Sequence, residues 1–248
     1  MMNIILSGFN GAMGKNVLEL ISEDESLMIT SGIDRKPNKY YTFKQFTDYS
    51  DENIKGDIIV DFSHFSLVPN MLEFCKRTHT PVVLCTTGLT DEILKQIEET
   101  SKYVPIFKSG NMSLGINLLI DIVKKASTIL EDFDIEIIEK HHNKKVDSPS
   151  GTAKMIANSI KSVLNEKEFI YGREGNDTKR KKNEIAIHAV RGGTIVGEHE
   201  IIFAGTDEII TLSHSARSKK VFAKGAIEAA KFIYGKESGL YRMDDMLK

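Results

Sequence analysis

The chain has no tryptophan, five prolines and only two cysteines among its 248 residues. Two thiols cannot build the disulfide framework that staples small secreted domains, and Cys75 and Cys85 lie in apolar settings, "LEFCKR" and "PVVLCTTG", without metal-ligand spacing. They read as buried thiols of a reducing compartment. No apolar run approaches the roughly 20 residues that cross a bilayer, and the opening "MMNIILSG" lacks a charged leader and a cleavage site. A cytoplasmic protein is expected, with its first residues already part of the fold. An excess of charge is missing too: 33 Lys and Arg face 35 Asp and Glu, a net charge of -2. No global field draws such a chain to nucleic acid or to a membrane surface, so any anion must be held by a local site. The run "KRKK" (179–182) stands alone without interleaved aromatics and reads as a solvated loop. Internal repeats and low-complexity tracts are also lacking.

What the chain does have is hydrophobic content of 41%, enough for a sizeable core, and a clear alternation of patterns. From Asn3 short apolar runs alternate with amphipathic ones: "NIILSG", "GKNVLELISE", "LMITSGID", "GDIIVDF", a helix from about Ser66 to Arg77, "PVVLCTTG", the helix "TDEILKQIEETSK" capped by Thr90, and "VPIF". Strand, helix, strand, repeated, predicts an α/β protein whose residues 1–112 form a Rossmann-type parallel sheet. After "KSGNMSLG" the grammar changes. A helix from Ser113 to about Leu130 leads to "DFDIEIIEKHH", a helix from Pro149 to about Leu164, a polar loop, and three strand candidates in succession, "NEIAIHAVR", "TIVGEHEIIFAG" and "DEIITLSHSA". This predicts a second, α+β domain over 113–218 with a mixed or antiparallel open sheet. The last helix, "KVFAKGAIEAAKFIYG", carries small residues on one stripe and is expected to pack on the first domain, which 219–248 then complete.

Two stretches carry chemistry. In "ILSGFNGAMGKN", Gly8, Gly11 and Gly14 follow a predicted strand and open a helix. Such a turn lets a pyrophosphate approach the backbone and offers it the free N–H groups of the helix start. Asn10 stands where the commoner fingerprint has its second glycine. The second strand ends in "GIDRK", putting Asp34 twenty residues after Gly14, where a carboxylate meets an adenosine ribose; Arg35 beside it suits a 2'-phosphate. The turns "DFSHF" and "CTTG" end later strands of the same sheet, so Thr86, Thr87 and Gly88 are expected near the nicotinamide.

The second stretch is "EKHHNKKVDSPSGTA" (139–153). Successive strand residues point to opposite faces, so His141 and His142 are poor partners for one metal, and no metal site is expected. Ser148 or Ser150 can cap the following helix with Pro149 in its first turn, leaving N–H groups near Gly151 and Thr152 to face an anion. Lys144 or Lys145 adds full charge, and Gly151 permits close approach. An imidazole beside anion donors is what a proton-transfer site requires.

"HHNKKVDSPSGTA" resembles the signature His-His-x-x-Lys-x-Asp-x-Pro-Ser-Gly-Thr-Ala of the 4-hydroxy-tetrahydrodipicolinate reductases, also called dihydrodipicolinate reductases, of the diaminopimelate route to lysine. The resemblance extends through "CTTG", "NMSLGIN", "VRGGTIVGEHEIIFAG" and "GKESGLY". It implies an NAD(P)H-dependent oxidoreductase in which His141 is the general acid/base and Lys145 a second proton donor and carboxylate anchor. His142, Ser150, Gly151 and Thr152 would then touch a small dicarboxylate substrate. The nucleotide would lie on Gly8, Phe9, Asn10, Gly11, Ala12, Met13, Asp34, Arg35, Cys85, Thr86, Thr87, Ser109, Gly110, Asn111 and Met112. The family also implies a homotetramer assembled through the second domain, and a mechanism that includes domain closure. Ala12 replaces a common Arg, Cys85 the first Gly of a Gly-Thr-Thr-Gly turn, and Ser148 an Ala; the lost Arg and the presence of Asp34 argue against a strong NADPH preference. Rival readings are another Rossmann oxidoreductase of a small amino or keto acid, and a non-catalytic dinucleotide sensor. The first would need a base beside Cys85 if it used a thiol, and the second has no use for His141 and Lys145 together.

Overall fold

The run "MNIILS" forms the first strand, β1 (Met2–Ser7), in which Ile4, Ile5 and Leu6 are fully buried. Continuous burial is what a strand covered on both faces requires. The computed structural model describes residues 1–176 and 178–248. Its contacts divide them into two units, Met1–Ser113 with Lys219–Lys248, and Leu114–Ser218.

In the first unit β1 is followed by α1 (Ala12–Ser22), β2 (Leu27–Ile33), β3 (Lys44–Phe46) and β4 (Ile58–Asp61). Next come α2 (Val68–Thr78), β5 (Val82–Leu84), α3 (Asp91–Thr100) and β6 (Pro105–Lys108). Thr90 caps α3 as expected, its side chain accepting from the Ile93 N–H at 3.3 Å. The helix expected from Ser66 begins instead as a 3-10 turn, Phe65–Leu67, and turns α-helical at Val68, where Pro69 occupies a first-turn position that needs no donor.

The second unit contains α4 (Leu114–Ile129), β7 (Asp134–His141), α5 (Gly151–Lys161), β8 (Glu168–Tyr171), β9 (Glu184–Arg191), β10 (Gly197–Ala204) and β11 (Ile209–Ala216). The chain then returns to the first unit with α6 (Lys220–Ile233), β12 (Gly239–Tyr241) and α7 (Met243–Met246).

The first sheet has the order β12-β6-β5-β4-β1-β2-β3 and every pair is parallel. Its strand order reverses between β1 and β4, and ligands of open α/β sheets bind outside the carboxyl ends at such a reversal. The small-residue stripe of α6, including Ala223, Gly225, Ala226, Ala229 and Ala230, is buried, and the helix packs on α1, β4, β5 and β6.

The second sheet is mixed, in the order β11-β10-β7-β9-β8, antiparallel through β11, β10 and β7 and parallel through β7, β9 and β8. Along β7 burial alternates: Ile135, Ile137, Glu139 and His141 point inward, the residues between them outward. Helices α4 and α5 cover the inner face, where Ile116, Val123 and Ile156 meet Ile137, Ile201 and Phe203.

Two local expectations need correction. Helix α5 starts at Gly151 with Ser150 as its cap, so Pro149 precedes the helix and does not form its first turn. The Ser150 hydroxyl accepts from the Ala153 N–H at 3.1 Å, which sets the start two residues later. The polar segment after α5 contains β8, and its basic run is not simply solvated. Arg180 bonds Asp134 and Glu136 of β7, and Lys182 pairs with Asp132. Asp177 of that segment lies outside the described residues. Among the described residues no helix is long and apolar enough to cross a membrane.

Candidate functional site

Gly8 leaves β1 with φ +81°, and an added Cβ there would lie 2.5 Å from the Phe62 carbonyl oxygen. At Gly14 an added Cβ would lie 2.3 Å from the Gly8 oxygen, so turn and helix approach more closely than any side chain allows. Gly11 is the N-cap of α1 and supplies no side-chain acceptor, which leaves first-turn N–H groups and the positive helix end to an anion. The cradle therefore fits a pyrophosphate.

Asp34 sits beside this turn: its Oδ2 accepts from the Asn10 N–H at 2.9 Å. The Asn10 amide donates to the Lys36 carbonyl and accepts from Asn38 Nδ2, both at 2.8 Å. Asn10 thus pins the loop after β2 to the glycine turn, which explains a side chain where the commoner motif has glycine. Arg35 and Ala12 are exposed and Met13 is half-buried. The Phe9 ring is fully buried against Tyr41 and Phe43, so its backbone is the part that faces the turn.

At the end of β5, the Cys85 N–H donates to the Asp61 carbonyl at 2.9 Å and the Thr86 hydroxyl to Asp61 Oδ2 at 2.6 Å. The Thr86 hydroxyl proton is thereby engaged; Thr87 and Gly88 are exposed. Burial, with the Asp61 charge adding to it, pushes the Cys85 thiol well above the usual range, so it is a poor nucleophile. After β6, the Ser109 hydroxyl donates to the Asn111 carbonyl at 2.8 Å, Gly110 is exposed, and Met112 is buried with its carbonyl against Gly225.

In the second unit His141 ends β7 and His142 lies just beyond the strand. Glu139, two residues earlier on the same face, is fully buried. Its Oε2 accepts from His141 Nδ1 at 2.6 Å and from one Arg191 nitrogen at 2.7 Å. Its Oε1 accepts from the other Arg191 nitrogen at 2.7 Å and from the Ser150 N–H at 2.9 Å. Burial opposes the charge on Glu139, but bonds from Arg191, His141 and Ser150 outweigh it and hold the carboxyl below the usual range. Burial likewise pushes His141 below the usual imidazole range; Glu139 opposes this, while Lys145 and Arg191 add to it.

Lys145 Nζ lies 2.8 Å from Asp147 Oδ1, and Asp147 Oδ2 accepts from the Gly151 N–H at 3.2 Å. The Gly151 N–H thus faces an anion supplied by the protein itself. The helix start attracts the nearest carboxylate, and Asp147 is that carboxylate. One side chain thus occupies two of the donors expected to hold a substrate carboxylate. His142 Nδ1 is buried without a hydrogen-bond partner, Thr152 is half-buried, and Lys144 is exposed. Among the described residues no group of three or more His, Cys, Asp or Glu is placed to hold a metal ion.

Glu139, Arg191 and His199 are the members of this cluster that sequence reasoning missed. Period-two alternation was the available signal for Glu139, since it puts residues 139 and 141 on one face. His199 of β10 is 4% exposed, and its Nε2 lies 3.1 Å from the Ser150 hydroxyl. Burial, with the nearby His141 adding to it, pushes His199 down to about 4. An unfolded chain takes up this proton near 6.5, whereas the folded protein takes it up only near 4. Between those values the unfolded state binds more protons, so stability falls as pH falls through the window. Urea titrations should show a loss on the order of 3 kcal/mol from this residue between pH 6.5 and 4, and His199→Gln should flatten that slope.

Residues 2–112 match the family model described as dihydrodipicolinate reductase, N-terminus, and residues 115–247 the one described as dihydrodipicolinate reductase, C-terminus. The chain is similar to the 4-hydroxy-tetrahydrodipicolinate reductase of Caldanaerobacter subterraneus subsp. tengcongensis, at 51% identity over 249 residues, covering 100% of this chain and 99% of that protein. It is similarly related to the Clostridium novyi protein of the same name, at 49% identity over 250 residues with 100% and 99% covered. Among solved structures, the dipicolinate-bound dihydrodipicolinate reductase from Paenisporosarcina sp. TG-14 matches with a TM-score of 0.82 over 98% of this chain and 97% of that one. Its sequence identity is 24%, so that likeness is one of fold.

Proposed function

Because the chain belongs to the dihydrodipicolinate reductase family, we infer that it reduces 4-hydroxy-tetrahydrodipicolinate to tetrahydrodipicolinate, with loss of water, using NADH or NADPH. The reaction is a step of the diaminopimelate route to lysine. The observation that carries this reading is the buried Glu139–His141 pair next to the anion donors of Lys145 and the start of α5.

A nicotinamide held by the first unit would supply a hydride to the cyclic α,β-unsaturated imine formed as water leaves. His141, with Nδ1 turned to Glu139, has Nε2 left to carry the proton that the resulting enamine takes up. Lys145 and the Gly151 N–H anchor one carboxylate of the dianion, which takes both donors over from Asp147. An added Cβ at Gly151 would meet nothing within 4 Å, so no packing demand of the protein itself keeps a glycine there. Ser150 holds the helix start, and His142 and Thr152 complete the substrate contacts.

The glycine turn and the start of α1 suit the pyrophosphate, and Asp34 the adenosine ribose. Arg35 is exposed, as a partner for a 2'-phosphate must be, which supports use of NADH, NADPH or both. The segments 85–87 and 109–112 serve the nicotinamide half mainly through their backbone. Asp34→Ala is expected to weaken NADH binding about tenfold, with less effect on NADPH; fluorescence titration checks this, and an equal loss for both would contradict the ribose role. A cytoplasmic homotetramer belongs to the same reading. Strand β11 is a sheet edge whose Ile209 and Ile210 are exposed, which supports assembly through the second unit. The function is tested by following nucleotide oxidation at 340 nm with the condensation product of pyruvate and aspartate semialdehyde.

A further inference from the structure

The geometry points to Glu139 as a positioning residue: it fixes the tautomer of His141 and ties the anion-binding start of α5 to the same carboxylate. This deepens the reading above and rests on His141 being the proton donor. Two strands and a helix converge on Glu139. The β7–β10 register sets His199 opposite Glu139, the β7–β9 register sets Arg191 opposite His141, and α5 brings in the Ser150 N–H.

An ionised carboxylate only accepts, so His141 Nδ1 must be the donor at 2.6 Å, and the neutral imidazole then carries its lone pair on Nε2. That edge is kept clear by Gly197, where an added Cβ would come within 3.0 Å of Nε2. Arg191 engages both oxygens, so the carboxylate cannot rotate away. Because Oε1 also accepts from Ser150, the imidazole and the helix that holds a substrate carboxylate are set by one group.

A glutamine in place of Glu139 cannot satisfy this arrangement. With its NH2 at the Oε1 position, it faces two donors, Arg191 and Ser150. With its NH2 at the Oε2 position, it faces Arg191 and His141, and the imidazole must then move its proton to Nε2. The second arrangement has fewer donor clashes, so Glu139→Gln favours the wrong tautomer.

The charged and titratable groups around His141 are Glu139 on its own strand, Arg191 on β9, His199 on β10, and Lys145 with Asp147 on the loop to α5. Glu139 favours the imidazolium on His141, against burial, Lys145 and Arg191. Removing its charge lowers the pH at which His141 is protonated. Protonation of the enamine needs the imidazolium, so the high-pH limb of kcat moves to lower pH.

Glu139→Gln is therefore expected to lower kcat about ten- to a hundredfold, to shift that limb toward acid, and to leave NADH binding by the first unit unchanged. A kcat equal to wild type, or a fall in kcat with the limb unmoved, overturns the assignment. Imidazole nitrogen spectra of the unmodified protein give a second test that does not depend on the variant folding. Neutral His141 protonated at Nδ1 supports the assignment, and protonated at Nε2 overturns it. His141→Gln, assayed beside it, separates the two readings. If that variant is inactive while Glu139→Gln keeps full kcat, only the role of Glu139 fails; if His141→Gln keeps full kcat, the proton-donor reading fails.

Discussion

Replacing His141 by glutamine is expected to lower turnover about a hundred- to ten-thousandfold, the usual contribution of a positioned acid/base. Glutamine keeps a polar side chain of similar reach but cannot deliver a proton at neutral pH. Uncatalysed protonation of the enamine by water would remain, which is why the loss is not total. His141 is in the second unit and the glycine turn is in the first, so NADH affinity should stay within about twofold; a difference of that size is under 0.5 kcal/mol. Stopped-flow turnover and NADH titration on one preparation separate the two quantities. A large loss of NADH affinity with kcat retained would move His141 out of the proton-transfer role.

Gly225→Ala is expected to have the largest effect on the fold. An added Cβ at Gly225 would lie 1.7 Å from the Met112 carbonyl oxygen, a backbone atom with no rotamer through which to yield. Either α6 must lift from the sheet, exposing the alanine stripe that buries it, or the segment 109–113 must shift. Overpacking of this kind costs about 3 kcal/mol or more, and a melting temperature lower by roughly 10 °C is expected by calorimetry. Because Met112 ends the segment proposed for the nicotinamide half, NADH binding should weaken in parallel. Gly151→Ala is the stability control, since its added Cβ would meet nothing within 4 Å. Equal melting temperatures for the two variants would mean that the α6 contact is looser than described.

The parallel sheet was legible because strands buried on both faces leave continuous apolar runs such as "NIILS" and "DIIVDF". β3, β8 and β12 were not legible, for they are sheet-edge strands of three or four residues with none buried, and they imprint no alternation. In the site, the two histidines, Lys144 and Lys145 stood out by residue type and by their nearness to a helix start, and the family resemblance singled out His141 and Lys145 among them. Arg191 did not, since only the β7–β9 register brings it opposite His141, and register over fifty residues is a tertiary fact. Asp147, without a task in the sequence, emerges as the carboxylate that occupies the Lys145 and Gly151 donors. Thr86, expected near the nicotinamide, has its hydroxyl bonded to the buried Asp61, a partner no local pattern announces.

If this chain reduces the product formed from pyruvate and aspartate semialdehyde, a reduced nucleotide must be consumed with it. Absorbance at 340 nm, followed with NADH and separately with NADPH, tests it directly. Oxidation of NADH, NADPH or both is expected, dependent on that condensation product and nearly lost in His141→Gln. No oxidation of either nucleotide by the wild-type protein would contradict it.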